Sequence, residues 1–143
     1  MRCVFCDDGN VRARKIFDNG LALAFPSSMP ITPGHVLVVP KRHAATMNAI
    51  TQEERIAVLD LGEKIKTALK KVFGAGGFNV AYNEGKVAGQ NVGHFHMHIV
   101  PRTENDGGIV EYEPRKFLYR TGSRGETPQE ELLQVAALIR TAV

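Results

Sequence analysis

The sequence predicts an α+β domain: one antiparallel sheet of about five strands, carrying one long helix and one C-terminal helix. Three observations lead there. Short apolar, β-branched runs follow one another along the chain and are separated by turn chemistry. One long segment between them has helical periodicity instead. At 143 residues the chain is a single domain, read as 1–143, large enough to bury a core without disulfides.

The elements follow in order. Residues 15–25 read as two short strands around Asp18-Asn19-Gly20, because Asn-Gly tolerates the positive φ of a tight hairpin turn. Residues 26–34, rich in Pro and Ser, read as loop. His35 opens the buried strand Val36-Leu37-Val38-Val39, which Pro40 stops. Thr51 and Glu54 have the spacing of a capping box. After them Val58, Leu61, Ile65, Leu69 and Val72 form one apolar stripe, ended by Gly74, Gly76 and Gly77. Residues 78–82 and 92–100 read as strands on either side of a polar, Gly-bearing loop. Residues 103–125 carry Gly, Pro and charge and predict no firm element. The last helix is expected from Thr127, with Pro128 in its first position and Leu132, Val135, Ala136 and Ile139 buried.

Composition narrows the partners. The excess of 18 Lys and Arg over 15 Asp and Glu gives only +3 and includes no dense basic run, which argues against nucleic acid. No apolar run approaches the length of a membrane span, and the first residues lack a signal peptide's apolar stretch. The two cysteines, Cys3 and Cys6, then point to metal or thiol chemistry in a reducing compartment, here the cytoplasm.

The chemistry lies in Gly89-Gln90-Asn91-Val92-Gly93-His94-Phe95-His96-Met97-His98-Ile99-Val100. Strand alternation puts His94, His96 and His98 on one face, roughly 6–7 Å apart, and Phe95, Met97 and Ile99 on the core face. A solvent-facing polar row and a transition-metal site on His96 and His98 are the plainer readings. The third is a nucleophilic imidazole with supporting bases.

His94-Phe95-His96-Met97-His98-Ile99-Val100 resembles the signature of the histidine triad (HIT) family. The likeness continues through residues 32–43, Asn83-Glu84-Gly85, Ala88-Gly89-Gln90 and Pro101-Arg102, covering a core of about residues 3–102 with a C-terminal extension over 103–143. It implies a HIT-like fold whose sheet continues across a homodimer. It also implies a nucleotide hydrolase or transferase that cleaves purine nucleotide conjugates at the α-phosphate. His96 would be the nucleophile that forms a nucleotidyl-histidine; His98 would bond the phosphate or leaving group, and His94 and His35 would hold the network. Asn83, Gln90 and Asn91 fall on phosphate-side positions and Ser27 on the ribose position. Phe5, Phe25, Phe17, Ile16 and the loop 26–28 would form the nucleoside pocket.

Asn83-Glu84-Gly85 looks like the Hint and bacterial branch, which hydrolyses nucleoside phosphoramidates. The alternatives are a dinucleoside polyphosphate hydrolase of the fragile-histidine-triad type, a non-catalytic nucleotide binder, and a metal-sensing protein. A homodimer is expected independently, because Ile56, Ala57, Leu59 and Ala68 add apolar surface beside the helix stripe. The last expectation is structural Zn²⁺. Cys3-Val4-Phe5-Cys6 has C-x₂-C spacing, a redox pair having the same spacing but opening a helix that nothing here predicts. With His96, His98 and His35 assigned to chemistry, His43 and His94 remain as the other ligands, and some bacterial HIT proteins are similar at these four positions. The alternative is two free buried thiols.

Overall fold

Asn19 closes the first hairpin: its side-chain oxygen accepts from the Ala22 amide at 2.8 Å, and Gly20 takes the positive φ of 97° that the turn requires. The computed structural model describes residues 2–106 and 126–143. The expected extension over 103–143 is therefore described except for 107–125, which lie outside the described residues. The hairpin joins β1 (Phe17–Asp18) to β2 (Ala22–Pro26). β3 (Val36–Pro40), β4 (Gly77–Ala81) and β5 (Met97–Arg102) complete a five-stranded sheet in the order β1-β2-β3-β5-β4, with every neighbouring pair antiparallel.

The long helix, α3 (Gln52–Phe73), is preceded by two short ones, α1 (Val4–Asp7) and α2 (Gly9–Ala13). It starts at the expected capping box: Thr51 Oγ1 accepts from the Glu54 amide at 3.1 Å, and Glu54 Oε1 accepts from the Thr51 amide at 2.8 Å. Arg42 adds an ion pair to Glu54 at 2.7 Å. That bond, followed by the Thr51 amide, holds the Glu54 carboxyl down at about 2. The helix ends at Gly74 in the left-handed conformation.

Each face of the sheet has its own apolar cluster. Ala22, Ala24, Val36, Val38, Met97 and Ile99 face α3, where Val58, Leu61, Ile65, Ala68 and Leu69 meet them. α4 (Gln129–Arg140) adds Ala136 and Ile139. Glycine permits the close approach: a Cβ at Gly62 would lie 2.9 Å from Met97 Cε, and one at Gly34 would lie 2.9 Å from the Phe73 ring. The opposite face is thinner, with Leu23, Phe25, Leu37 and Val39 covered by Val11 and Phe5.

Three expectations are corrected. The strand expected over 92–100 begins only at Met97, since β3 ends at Pro40, which has no N–H, and β4 pairs no further back than His98. The last helix begins at Gln129, two residues late. Thr127 is tied to the Ser28 carbonyl at 2.7 Å, and Pro128 takes an extended ψ of 143° at the cap rather than the first helical position. Cys3 and Cys6 do open a short helix, α1, although nothing in the sequence predicts one. Among the described residues no helix is long and apolar enough to cross a membrane.

Candidate active site and metal centre

His94 and His96 precede β5 in irregular backbone, yet the alternation of faces survives: Phe95 lies in the helix-side core with Met97 and Ile99. The imidazoles turn to the other face. The His96 and His98 ring centres are 5.1 Å apart. In β5, His98 sits between Leu37 of β3 and Ala81 of β4, and all three line one cavity of about 510 Å³ together with His96.

The hydrogen bonds fix the tautomers. His96 Nδ1 lies 2.8 Å from the His94 carbonyl oxygen, which only accepts, so Nδ1 carries the proton and Nε2 keeps the lone pair. His35 Nδ1 accepts the Ile31 amide at 3.0 Å. Its Nε2–H therefore donates to His98 Nδ1 at 3.0 Å, and His98 carries its own proton on Nε2. The cavity thus has a lone-pair nitrogen from His96 beside an N–H donor from His98. A backbone amide sets the second tautomer through His35, which is 1% exposed.

His94 faces elsewhere. Its Nε2–H donates to the Pro40 carbonyl at 2.7 Å, and Nδ1 lies 3.5 Å from both Cys3 Sγ and Cys6 Sγ. His43 Nδ1 is 3.8 Å from Cys6 Sγ, and the four ligand atoms all lie within 4.8 Å of one another. Two thiols at equal distance from one lone pair cannot both donate to it fully. The spacing suits a shared cation, since Zn–S and Zn–N bonds in a tetrahedron separate neighbouring ligands by about 3.5 Å. Burial, then the Cys3 thiol, pushes Cys6 up to about 11; a bound cation would reverse that. Burial holds His94 below its usual range, in the neutral form a metal needs.

Phe5 connects the two centres. It stands in α1 between the two cysteines, with its ring 5.8 Å from His94 and 5.3 Å from both His96 and Phe25. Of the other residues expected to meet substrate, Ser27, Ser28, Asn83 and Asn91 line the cavity. Ser27 Oγ accepts from the Met29 amide at 3.3 Å. Gln90 is not in the wall: Oε1 accepts from Gly85 and Nε2 donates to Ala45, each at 2.8 Å, so it shapes the loop. Ile16 and Phe17 belong to the helix-side core, and Phe25 lies beneath the wall rather than in it. Sequence reasoning missed Asp8, Asn10, Arg14, Glu126 and Gln129, which also line the cavity, with Gln129 bonded to both Arg14 and Asn10. Their spacing carried no signal, because the chain brings positions 8–14 and 126–129 together only in three dimensions.

A cavity thus lies beside an ordered imidazole pair on an antiparallel sheet. The chain belongs to the histidine triad family: the HIT domain matches residues 8–105. It is 43% identical over 109 residues to an uncharacterized HIT-like protein of Mycoplasma genitalium, covering 75% of this chain and 77% of that one. Two Schizosaccharomyces pombe relatives are named hydrolases. The adenosine 5'-monophosphoramidase is 36% identical, with 76% of this chain and 80% of that one covered. The asymmetrical bis(5'-nucleosyl)-tetraphosphatase is 34% identical, with 79% and 67% covered. Among solved structures, a Zn-bound histidine triad family protein from Mycobacterium smegmatis superposes with a TM-score of 0.75 at 31% identity, over 99% of this chain and 93% of that one.

Proposed function

We propose that this protein hydrolyses purine nucleoside phosphoramidates through a nucleotidyl-histidine on His96. The observation that carries the reading is the 2.8 Å contact of His96 Nδ1 with the His94 carbonyl, which leaves Nε2 as the lone-pair nitrogen of a cavity-lining ring. Nε2 forms a bond to the α-phosphorus as the phosphorus–nitrogen bond to the amine breaks. His98 Nε2–H hydrogen-bonds the leaving nitrogen, and the amine departs with a proton drawn from solvent. Water then attacks phosphorus, its proton goes to solvent, and a nucleoside monophosphate leaves with His96 neutral again. Asn83 and Asn91 line the same cavity as His96, and their side-chain amides would stabilise charge on the non-bridging oxygens; the Gly89 amide is spent on the Lys86 carbonyl. The phosphoramidase relative supports an amine leaving group; the tetraphosphatase relative supports a dinucleoside polyphosphate as the competing substrate.

Cys3, Cys6, His43 and His94 would hold one Zn²⁺, which supplies structural cross-linking rather than chemistry. It would pin α1, and with it Phe5, against the sheet, and fix the residue whose carbonyl orients His96. A homodimer is part of the same reading: Ile56 and Leu59 on α3 and Val80 on the edge strand β4 are each about half exposed.

The deciding experiment mixes the protein with adenosine and guanosine phosphoramidates, quenches early and maps adducts by mass spectrometry. A nucleotidyl mass on the peptide containing His96 is expected. Turnover with no adduct at any time would mean direct attack by water, and the covalent step would be withdrawn.

A further inference from the structure

The Arg14 end of the cavity holds an unusual set of groups. Arg14 is only 7% exposed. Its Nε–H donates to the Pro26 carbonyl at 3.1 Å and Nη1 donates to Gln129 Oε1 at 2.9 Å. The guanidinium carbon lies 5.6 Å from the Phe25 ring centre. A guanidinium has five N–H donors, so three remain for which the described residues offer no acceptor. Nor does it form an ion pair among the described residues, although buried arginines ordinarily have one. Two carboxylates, Asp8 and Glu126, line the same cavity and act on Arg14 through their charge without touching it. Cation and carboxylates thus line one space without pairing among the described residues.

From this arrangement we infer that the Arg14 end is a nucleobase subsite that selects guanine over adenine. It rests on the proposal above, since it takes the His96 end as the phosphate end. His96, Phe5 and Arg14 line the cavity, and Phe25 beneath the wall connects them: His96 meets Phe5 at 5.3 Å, Phe5 meets Phe25 at 5.3 Å, and Phe25 lies under Arg14. Guanine presents O6 and N7 as adjacent acceptors, the pair that arginine reads bidentately. Around the O6 corner it presents N1–H and N2–H, two donors for a carboxylate. Adenine reverses both: its N6 amine would face the guanidinium and its N1 lone pair a carboxylate. The usual reader of adenine is an Asn or Gln amide; the Gln129 amide is committed at both ends, its Nε2 donating to the Asn10 carbonyl at 2.8 Å, which leaves the Asn10 side chain as the one amide here against the guanidinium and two carboxylates. A second phosphate would satisfy Arg14 but would meet the charge of Asp8 and Glu126, so a neutral ring with a mixed edge fits better.

The test is calorimetric titration of the full chain with GMP and with AMP. Tighter binding of GMP by about ten-fold or more is expected, the range a bidentate pair gives. Arg14→Gln should bring the ratio to about one or invert it, and Glu126→Gln should reduce it several-fold. Glu126 is exposed, so that variant carries the test if circular dichroism shows Arg14→Gln unfolded. Binding of AMP as tightly as GMP, binding of neither, or a wild-type ratio in the folded variants would overturn the inference. Turnover of the phosphoramidates is scored separately. A GMP preference without turnover removes the proposed reaction and keeps the subsite; turnover with no base preference does the reverse.

Discussion

The two faces of the sheet are built by different means. Toward α3, buried apolar side chains from two helices and three strands interlock. Toward the cavity the apolar layer is thin: four strand residues under Val11 and Phe5. There order comes from directed bonds, namely the His35–His98 chain, the His94 ring on the Pro40 carbonyl, and the thiols around Nδ1. Hydrophobic burial is non-directional and sets stability. Hydrogen bonds and metal ligands fix orientation, which a nucleophile needs to within a fraction of an ångström. Substitutions on the two faces should therefore separate into losses of rate and losses of stability.

The largest effect is expected on the cavity face. His96→Ala should lower turnover by several powers of ten, as loss of a nucleophile does, with little change in the melting temperature. Retention of a tenth of the activity would show that His96 forms no covalent intermediate. On the other face, Leu61→Ala removes a fully buried side chain. It should cost about 2–5 kcal/mol in denaturant unfolding while leaving kcat of the folded protein near wild type. A comparable loss of kcat would mean that the two faces are coupled.

Changing Cys3 and Cys6 together to Ser tests the connection between the centres. Elemental analysis should find about one zinc per chain in the wild type and none in the double variant. The variant should melt lower and show a raised KM, since Phe5 loses its anchor, yet keep measurable turnover. Zinc bound unchanged would place the metal on the triad instead. The smallest effect belongs to Glu54. Its folded value of about 2 lies below the ordinary 4.5, so its contribution is present above about pH 4.5 and is lost as pH falls toward 2. Glu54→Gln should flatten the acid limb of stability between those values and cost about 1 kcal/mol at pH 7 through the weakened cap. Arg42 is half exposed, so the ion pair adds little to that. An unchanged acid limb would mean that the pair does not survive in solution.

Some of this was legible from residues alone because the governing interactions are local. Thr51 and Glu54 find each other three positions apart, the α3 stripe repeats every three or four residues, and Asn19-Gly20 closes its own turn. The triad's facing pattern was equally local, since alternation is a property of extended backbone whether or not a neighbour pairs with it. The start of β5 was not, because a strand begins where its partners begin, and those partners lie some sixty residues away on β3. Gln90 was misplaced for a similar reason: what its amide bonds depends on where Ala45 comes to rest.

By itself, then, the sequence determined the caps of α3, the periodic faces, the hairpin turn and the chemical types in the triad. Each depends on residues within one or two turns of chain. Tertiary structure alone decided which nitrogen holds the proton in His94 and His98, because that depends on groups delivered from elsewhere: the Pro40 carbonyl for His94 and the His35 ring for His98. It likewise decided that Arg14 and Glu126 line one cavity. Residues more than a hundred positions apart meet only when burial on the far side of the sheet has already fixed the backbone that carries them.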